Sequence, residues 1–409
     1  MIRITIISFL LLLNFPVFSQ SGSLYTSMGI GDVLYSYSAR RAGMGGLGVS
    51  LADDNFINTL NPAGWHKIKS TRIEFGAYYN AMFISDNNQS GFYGEMEFSG
   101  VTMAFPVSQL YGITASAGLV PVTNVSYEVK HVFTSPENYE VISTGSGGLS
   151  KMYLGSSYKL PFGLVIGANM DYYFGNIIYK AGIDFSNSSF LSSEYETRYN
   201  PKGIGGTFGF ISPDLSSLID TATITEFNIG ASVSYFGNLD FDTTIIASSS
   251  RIDTLSFGSG SIEIPLRFTA GANIVLNKRY MLSFDYALQP WSELKINNVA
   301  QTNLRNAQKF SLGFEYKPEV ELGSTFWEQI IWRTGLSFEQ TQYMINNEGI
   351  NQYTFTGGFS LPISFGNTLD IAVQYSMRGS SEPGLIKENT IRLNAGISFG
   401  EIWFIRQSY

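Results

Sequence analysis

The chain contains no cysteine. That absence excludes disulfides, thiolate metal sites, thiolate nucleophiles and a lipidated N-terminal cysteine together. Histidine is almost missing too: only His66 and His131 occur in 409 residues, far apart, so a metal centre would rest on carboxylates alone. Asp, Glu, Lys and Arg make up only 14 % of the chain, against roughly 25 % in a soluble domain. There is no long basic run and the formal net charge is −8, which argues against nucleic acid as a partner. The acidity fits soluble loops and says little about fold. Also absent is any stretch of the roughly 20 apolar residues that a membrane-spanning helix requires.

The longest apolar run, Ile4 to Leu13, follows Arg3 and leads into Pro16-Val17-Phe18-Ser19-Gln20. This is the pattern of a cleavable secretory signal cut after Ser19, so residues 1–20 are expected to be a signal peptide. An exported chain without spanning helices can live in a membrane only as a closed barrel, where every backbone group finds a partner. The 31 Phe, 24 Tyr and 42 Gly suit the aromatic girdles and close strand packing of such a barrel.

From about Arg72 the chain breaks into alternating segments separated by Asn, Gly, Ser, Pro and Asp clusters, the signature of transmembrane strands. Leu164, Ile166, Ala168, Met170, Tyr172 and Phe174 form one apolar face, opposed by Gly167, Asn169, Asp171 and Tyr173. Leu282, Phe284 and Tyr286 oppose Ser283 and Asp285; Leu369, Ile371, Val373 and Tyr375 oppose Asp370, Gln374 and Arg378; Ile391 and Leu393 oppose Arg392 and Asn394. Soluble sandwiches alternate as well, but here large apolar side chains recur in strand after strand while charges keep to the other face. A charge on the lipid face would cost about 2–4 kcal/mol at the midplane. The pattern predicts an all-β, transmembrane antiparallel β-barrel of about 14 strands. The expected segments lie near Arg72–Phe83, Glu95–Phe105, Gly112–His131, Tyr139–Tyr158, Leu164–Asn176, Tyr195–Ile211, Glu226–Asn238, Ile264–Leu276, Tyr280–Leu288, Ala307–Tyr316, Ile331–Gln340, Gln352–Leu361, Thr368–Arg378 and Thr390–Phe399. Residues 71–409 are thus assigned to the barrel.

Residues 21–70 do not alternate. They are rich in Gly, Ser and Ala, and too long for a mere tail, so a hatch folded into the lumen is expected. Ala42-Gly43-Met44-Gly45-Gly46-Leu47-Gly48-Val49-Ser50, then Ala52-Asp53-Asp54, then Asn61-Pro62-Ala63-Gly64 resemble the N-terminal hatch of the FadL/TodX-type outer-membrane transporters of long-chain fatty acids and other hydrophobic compounds. Weaker likeness runs through Gly147-Gly148-Leu149, Tyr153-Leu154-Gly155, Ile264-Pro265-Leu266, Asp285-Tyr286 and Trp291-Ser292. The resemblance implies a fourteen-stranded barrel, a plugged lumen and a kinked third strand that opens sideways toward lipid. Gly118-Leu119-Val120-Pro121 fits such a kink, since a proline inside a strand removes a ladder donor; an ordinary bulge is the alternative. The tail Trp403 to Tyr409 instead resembles endings of Bacteroidetes-type outer-membrane proteins, among which similar barrels also serve the type IX secretion pathway.

Two enzyme-like motifs lack their context. Gly43 to Gly48 satisfies GxGxxG without a preceding parallel strand, and Gly396-Ile397-Ser398-Phe399-Gly400 satisfies GxSxG without a strand-to-helix elbow. No catalytic residue, metal or cofactor is assigned, and His66 is expected to pack rather than catalyse. The expected function is passive passage of fatty-acid-like or aromatic small molecules across a Gram-negative outer membrane, with lipid and such a ligand as partners. Phe56, Ile57, Leu60, Trp65, Leu119 and Val120 are the candidate ligand contacts, although hatch residues of this kind also serve simply as packing against the wall. Asp171, Asp285, Arg333, Asp370, Arg378 and Arg392 are expected to hold the hatch. The alternative function is docking within an envelope or type IX secretion complex, with an envelope protein as partner.

Overall fold

The computed structural model describes residues 22–86, 90–134, 138–187, 190–219, 223–249, 252–320, 324–364, 366–382 and 384–401. The expected signal peptide and the tail from Trp403 lie outside the described residues.

Inside the barrel the chain begins with a short strand, β1 (Asp32–Val33), and a one-turn helix, α1 (Ala39–Ala42). Then follow β2 (Thr71–Ser85), β3 (Ser90–Ser108), β4 (Ile113–Pro121), β5 (Thr123–Phe133), β6 (Tyr139–Lys159), β7 (Val165–Phe185) and β8 (Ser193–Ile211). The ring continues through β9 (Ile224–Tyr235), β10 (Asn238–Ser248), β11 (Ile252–Glu263), β12 (Arg267–Leu276) and β13 (Tyr280–Gln289). After a small hairpin of β14 (Lys295–Ile296) and β15 (Val299–Ala300) come β16 (Ala307–Tyr316), β17 (Ile331–Ile345), β18 (Glu348–Ser364), β19 (Asn367–Arg378) and β20 (Lys387–Glu401). β4 with β5, β9 with β10 and β11 with β12 are halves of bent strands, so the ring has fourteen members, closed by β20 on β2 from Thr71↔Glu401 to Ser85↔Lys387. All fourteen segments expected from the sequence are present.

Alternation sets the two faces. In β7, Met170, Tyr172 and Phe174 are exposed to the outside while Asp171 and Tyr173 are buried in the lumen. Aromatic pairs such as Phe75–Phe98 and Tyr286–Phe310, with centroids 5.5 and 4.8 Å apart, bridge neighbouring strands on the lipid face. Such cross-strand pairs are each worth about 0.2–1 kcal/mol.

The bends fall where the ladder is interrupted: at Val122, at Phe236-Gly237 and at Ile264-Pro265-Leu266. The first has the largest consequence. β4 pairs with β3 along Val101–Ser108, but beyond Val122 the chain turns away. β5 pairs with β6 on one edge and, at its foot, with the hatch strand β1 on the other. Among the described residues, β3 from Tyr93 to Ser99 therefore has a strand partner only in β2. Side chains bridge this seam: Asn124 donates to Glu97 at 2.8 Å and Ser126 to Glu95 at 3.0 Å.

Short turns such as Gln109–Gly112 and Asn277–Arg279 mark the periplasmic end. At the opposite, extracellular end β6 and β7, 21 residues each, run far past the roughly 9–11 residues needed to cross lipid. With β5, β8, β10 and β11 they form a six-stranded wall. The β10–β11 hairpin falls between two of the segments expected from the sequence, Glu226–Asn238 and Ile264–Leu276.

Glycines let the hatch reach the barrel wall. A Cβ on Gly167 would lie 2.4 Å from the Ala63 nitrogen, and one on Gly335 2.5 Å from the Gly45 nitrogen. We expect Gly335→Val to displace the hatch while leaving the barrel closed. The variant should keep its heat-dependent gel mobility yet become cleavable by protease between residues 22 and 70; a protected hatch would contradict this account of the contact.

Candidate functional site

Residues 22–70 fill the lumen without regular structure of any length, so their backbone groups depend on side-chain caps. Asn58 and Asn61 supply them. The Asn58 amide donates to the Gly48 and Leu51 carbonyls at 3.1 and 2.9 Å, and its oxygen accepts from Leu60 and Asn61 nitrogens at 3.0 and 2.9 Å. Asn61 caps the 3-10 turn Pro62–Lys67 by accepting from Ala63 N, and donates to Val49 O and Phe210 O, all at 3.0 Å. Pro62 at the first turn position lacks a donor that would have gone unused there. The Asn-Pro-Ala-Gly motif is thus a capped corner clamped to β8.

The hatch is held by buried charge. Arg40 of α1 donates to both oxygens of Glu315 in β16, at 3.0 and 2.9 Å, and pairs with Asp53 at 2.9 Å. Glu315 also accepts from Arg333 at 2.7 Å, and Arg333 reaches Asp370 at 3.0 Å and Ser360 at 2.6 Å. The Phe56 ring lies beneath both guanidinium groups, 4.2 Å from Arg40 and 5.6 Å from Arg333. Further out, Arg378 pairs with Asp32 at 2.9 Å and Ser23 donates to Glu388 at 2.7 Å. Glu74 accepts from the Ile57 nitrogen at 2.9 Å and from the Tyr37 hydroxyl, and Asp285 accepts from Val49 N at 2.8 Å.

Of the expected hatch holders, Asp285, Arg333, Asp370 and Arg378 thus serve the hatch directly or through Glu315. Asp171 binds Lys151, Asn169 and Tyr173, and Arg392 binds Asn80 and lies over Tyr78, so both stiffen the wall instead. Arg40, Glu315, Glu74, Asn58 and Glu388 were not among the expected hatch holders. The one available signal was the Arg40-Arg41 pair in an otherwise uncharged stretch. Arg41 is buried and donates to the Leu47 and Gly48 carbonyls.

The candidate ligand contacts separate into four places, the first being Phe56 beneath the Arg40 and Arg333 guanidinium groups. Ile57, Trp65 and Val120 meet in one buried cluster with Tyr37 and Tyr153, Trp65 stacking on Tyr153 at 5.9 Å. Leu60 packs on Leu47 and Ala287. Leu119 lies on the opposite face of β4 from Val120, and Gly118 pairs with Thr102 and Tyr153. The GxGxxG glycines make turns, with φ of 79, 91 and 113° at Gly45, Gly46 and Gly48. Ser398 of GxSxG donates to Asn55 O and accepts from Arg72. Both motifs position the hatch.

Several cavities remain among the described residues. One of about 120 Å³ lies above the lock and is lined by Asp32, Lys309, Gln342, Arg378 and Arg392, with Ser99 and Pro121 where it meets the seam. A smaller one of about 30 Å³ touches Leu60, Val120, Pro121 and Phe236. A periplasmic vestibule of about 460 Å³ is lined by Asp53, Asp54, His66, Lys67 and Lys317 among others. Burial pushes the His66 imidazole down to about 4, against the contact of its Nδ1 with Ala63 O.

A buried pair stripped of one partner loses about 3–5 kcal/mol, so Glu315→Gln should loosen the hatch by about that much. Planar-bilayer recordings should show ionic current bursts missing from wild type and from Lys130→Gln, which breaks only an exposed pair with Glu140. Unchanged silence would mean that the lock does not hold the plug. For His66, the folded value lies below the unfolded value of about 6.5, so the unfolded hatch binds the extra proton and stability falls as pH drops from about 6.5 to 4. Protease sensitivity of residues 22–70 should rise across that window, and His66→Gln should flatten the rise.

The fold is that of the FadL-type channels. The chain is similar to a Pseudomonas aeruginosa FadL homologue (TM-score 0.61, 11 % identity, 91 % of this chain and 99 % of that one). It is similar also to the Ralstonia pickettii toluene transporter TbuX (0.60, 15 %, 90 % and 99 %) and the Pseudomonas putida toluene transporter TodX (0.58, 16 %, 91 % and 99 %). No curated protein matches the chain significantly. The sequence model of BamG matches residues 1–409. This outer-membrane barrel, FadL-like in fold, belongs to the BamG family.

Proposed function

We propose that the protein passes small hydrophobic molecules across the outer membrane and releases them sideways through the seam between β3 and β5. The observation that carries this reading is the meeting of the 120 Å³ cavity with that seam, at Ser99 and Pro121. There, among the described residues, β3 has a strand partner only in β2. A molecule leaving the cavity there would avoid the aqueous side of the barrel. Fold likeness to toluene transporters supports the same reading, although fold alone does not fix function. The cavity lining is largely polar, with Lys309 paired to Glu339 and Arg378 to Asp32, so a molecule held there would present a polar group beside its hydrophobic part. Leu60 and Val120 are the candidate contacts that line the smaller cavity, beside the kink candidate Pro121.

A second reading is favoured by the buried lock Arg40–Glu315–Arg333–Asp370. A plug fixed by four paired charges suits a barrel that works as a docking or structural component of an envelope complex.

Because the native chain has no cysteine, the double variant Glu97→Cys/Asn124→Cys can be bridged across the seam with a short bifunctional thiol reagent. Uptake of a fluorescent fatty-acid analogue and of toluene into proteoliposomes should fall at least tenfold on bridging, and remain intact in the unbridged variant. Uptake that ignores the bridge would remove the lateral route. No uptake by the wild type, with a defined protein retained in gentle detergent, would favour the docking reading.

A further inference from the structure

The extracellular wall reverses the polarity of the barrel beneath it. Within the membrane the outer positions of β7 and β8 are apolar, as at Met170, Tyr172, Ile204 and Phe208. Above Gly147-Gly148, Gly175 and Gly203 the same outward register carries Lys130, Glu140, Lys180, Glu194, Glu196, Arg198 and Asp242. Those charges pair in the water: Lys130 with Glu140 at 2.6 Å, Lys180 with Glu194 and Glu196 at 3.2 Å, and Lys202 with Asp242 at 3.3 Å.

The inner face is the reverse. From Val125 to Val129 in β5, Val141 to Gly147 in β6, Ile177 to Ile183 in β7, Tyr195 to Pro201 in β8 and Leu239 to Ile245 in β10, the inward positions contain no Asp, Glu, Lys or Arg. An aromatic row crosses them: Tyr127–Tyr179 at 6.4 Å, Tyr179–Tyr199 at 6.0 Å and Tyr199–Phe241 at 5.3 Å. Gly145 keeps the row continuous, since a Cβ there would lie 2.2 Å from the Tyr127 ring.

The foot of this face is covered by the chain itself. Tyr25 and Ile30 of the N-terminal segment, with Trp291, Leu294 and Leu304 of the β13–β16 connection, bury Val125, Ile177 and Phe241. β1 also pairs with β5 there, through Asp32↔Asn124 and Val33↔Thr123. Higher up the cover ends. Ala181, Ile183 and Tyr195 are exposed, and among the described residues the β5 edge from Val129 to Phe133 has no strand partner beyond β6.

We propose that this uncharged inner face, from the Tyr127–Tyr179–Tyr199 row to the strand tips, docks a polypeptide of another protein outside the cell, one presenting uncharged, largely apolar side chains along the free edge of β5. An apolar sheet face standing clear of lipid marks an interaction surface. A polypeptide suits it better than a small apolar molecule because the open edge offers a row of backbone donors and acceptors that only another backbone matches. The chain already fills the lower part of the same edge with a strand of its own. This inference is independent of whether the lumen conducts.

The test uses the full-length barrel in its own membrane. A photoreactive phenylalanine analogue at position 183 is irradiated in intact cells, alone and combined with Ala181→Arg or Thr197→Glu on the inner face or Lys180→Glu on the outer. We expect one adduct, with a peptide of a single partner protein identified by mass spectrometry. It should fall at least tenfold with either inner-face change and persist with Lys180→Glu, all variants keeping heat-dependent gel mobility. The proposal is overturned by an adduct indifferent to Ala181→Arg, by adducts only with lipid or a small apolar molecule, by a second copy of this chain as the sole adduct, or by no adduct.

Discussion

Lipid offers no hydrogen-bond partner to a backbone, and each unsatisfied group there costs several kcal/mol. Most strands of this barrel are accordingly paired on both edges over much of their length, and the ring is closed by β20 on β2. Where pairing lapses, between β3 and β5, other groups step in. β1 takes the foot of β5, and Asn124 and Ser126 lean across to Glu97 and Glu95. The hatch is therefore part of the wall as well as its plug.

Closure also decides what the lumen must contain. Alternation that puts Phe, Tyr and Leu toward lipid puts Asp, Glu, Arg and Ser inward, so any segment filling the barrel meets a polar surface. The hatch answers with Arg40, Asp53, Asp32 and its two capping asparagines. Such buried pairs add little net stability against an apolar replacement, but each is costly to leave half-made. Their effect is to fix one position for the plug: Arg40 bridges Asp53 of the hatch and Glu315 of the wall only in this placement.

The barrel was legible because alternation is a local signal repeated in every strand, and the lapses of that signal mark what was not. Strands β10 and β11 and the upper part of β7 carry charges on the outward face, so an apolar-out template passes over them, whereas the upper parts of β6 and β8 already fell within the expected segments Tyr139–Tyr158 and Tyr195–Ile211. The hatch was legible from the lack of alternation in residues 21–70 and from the motifs Gly43 to Gly48 and Asn61 to Gly64 that carry the family resemblance. Its fastening was not, because Arg40 and Glu315 are far apart in sequence and any of the inward charges could have been the partner. Asp171 and Arg392 show this: both point inward as expected, yet their partners are wall residues.

The placement of the lock also ranks the possible movements. Glu315, Arg333 and Asp370 sit toward the periplasmic end of the lumen, whereas the 120 Å³ cavity and the seam lie on its extracellular side. Passage along the axis would require the lock to part, with buried charges left unpaired at about 3–5 kcal/mol for each broken pair. A molecule moving from the cavity to the seam would need only the Asn124–Glu97 and Ser126–Glu95 bonds to open. Hydrogen bonds to charged groups contribute about 1.5–3 kcal/mol each, and water in the opening would replace part of that. In the proposed route the lateral step is thus the easier one, and the hatch can stay in place while it occurs.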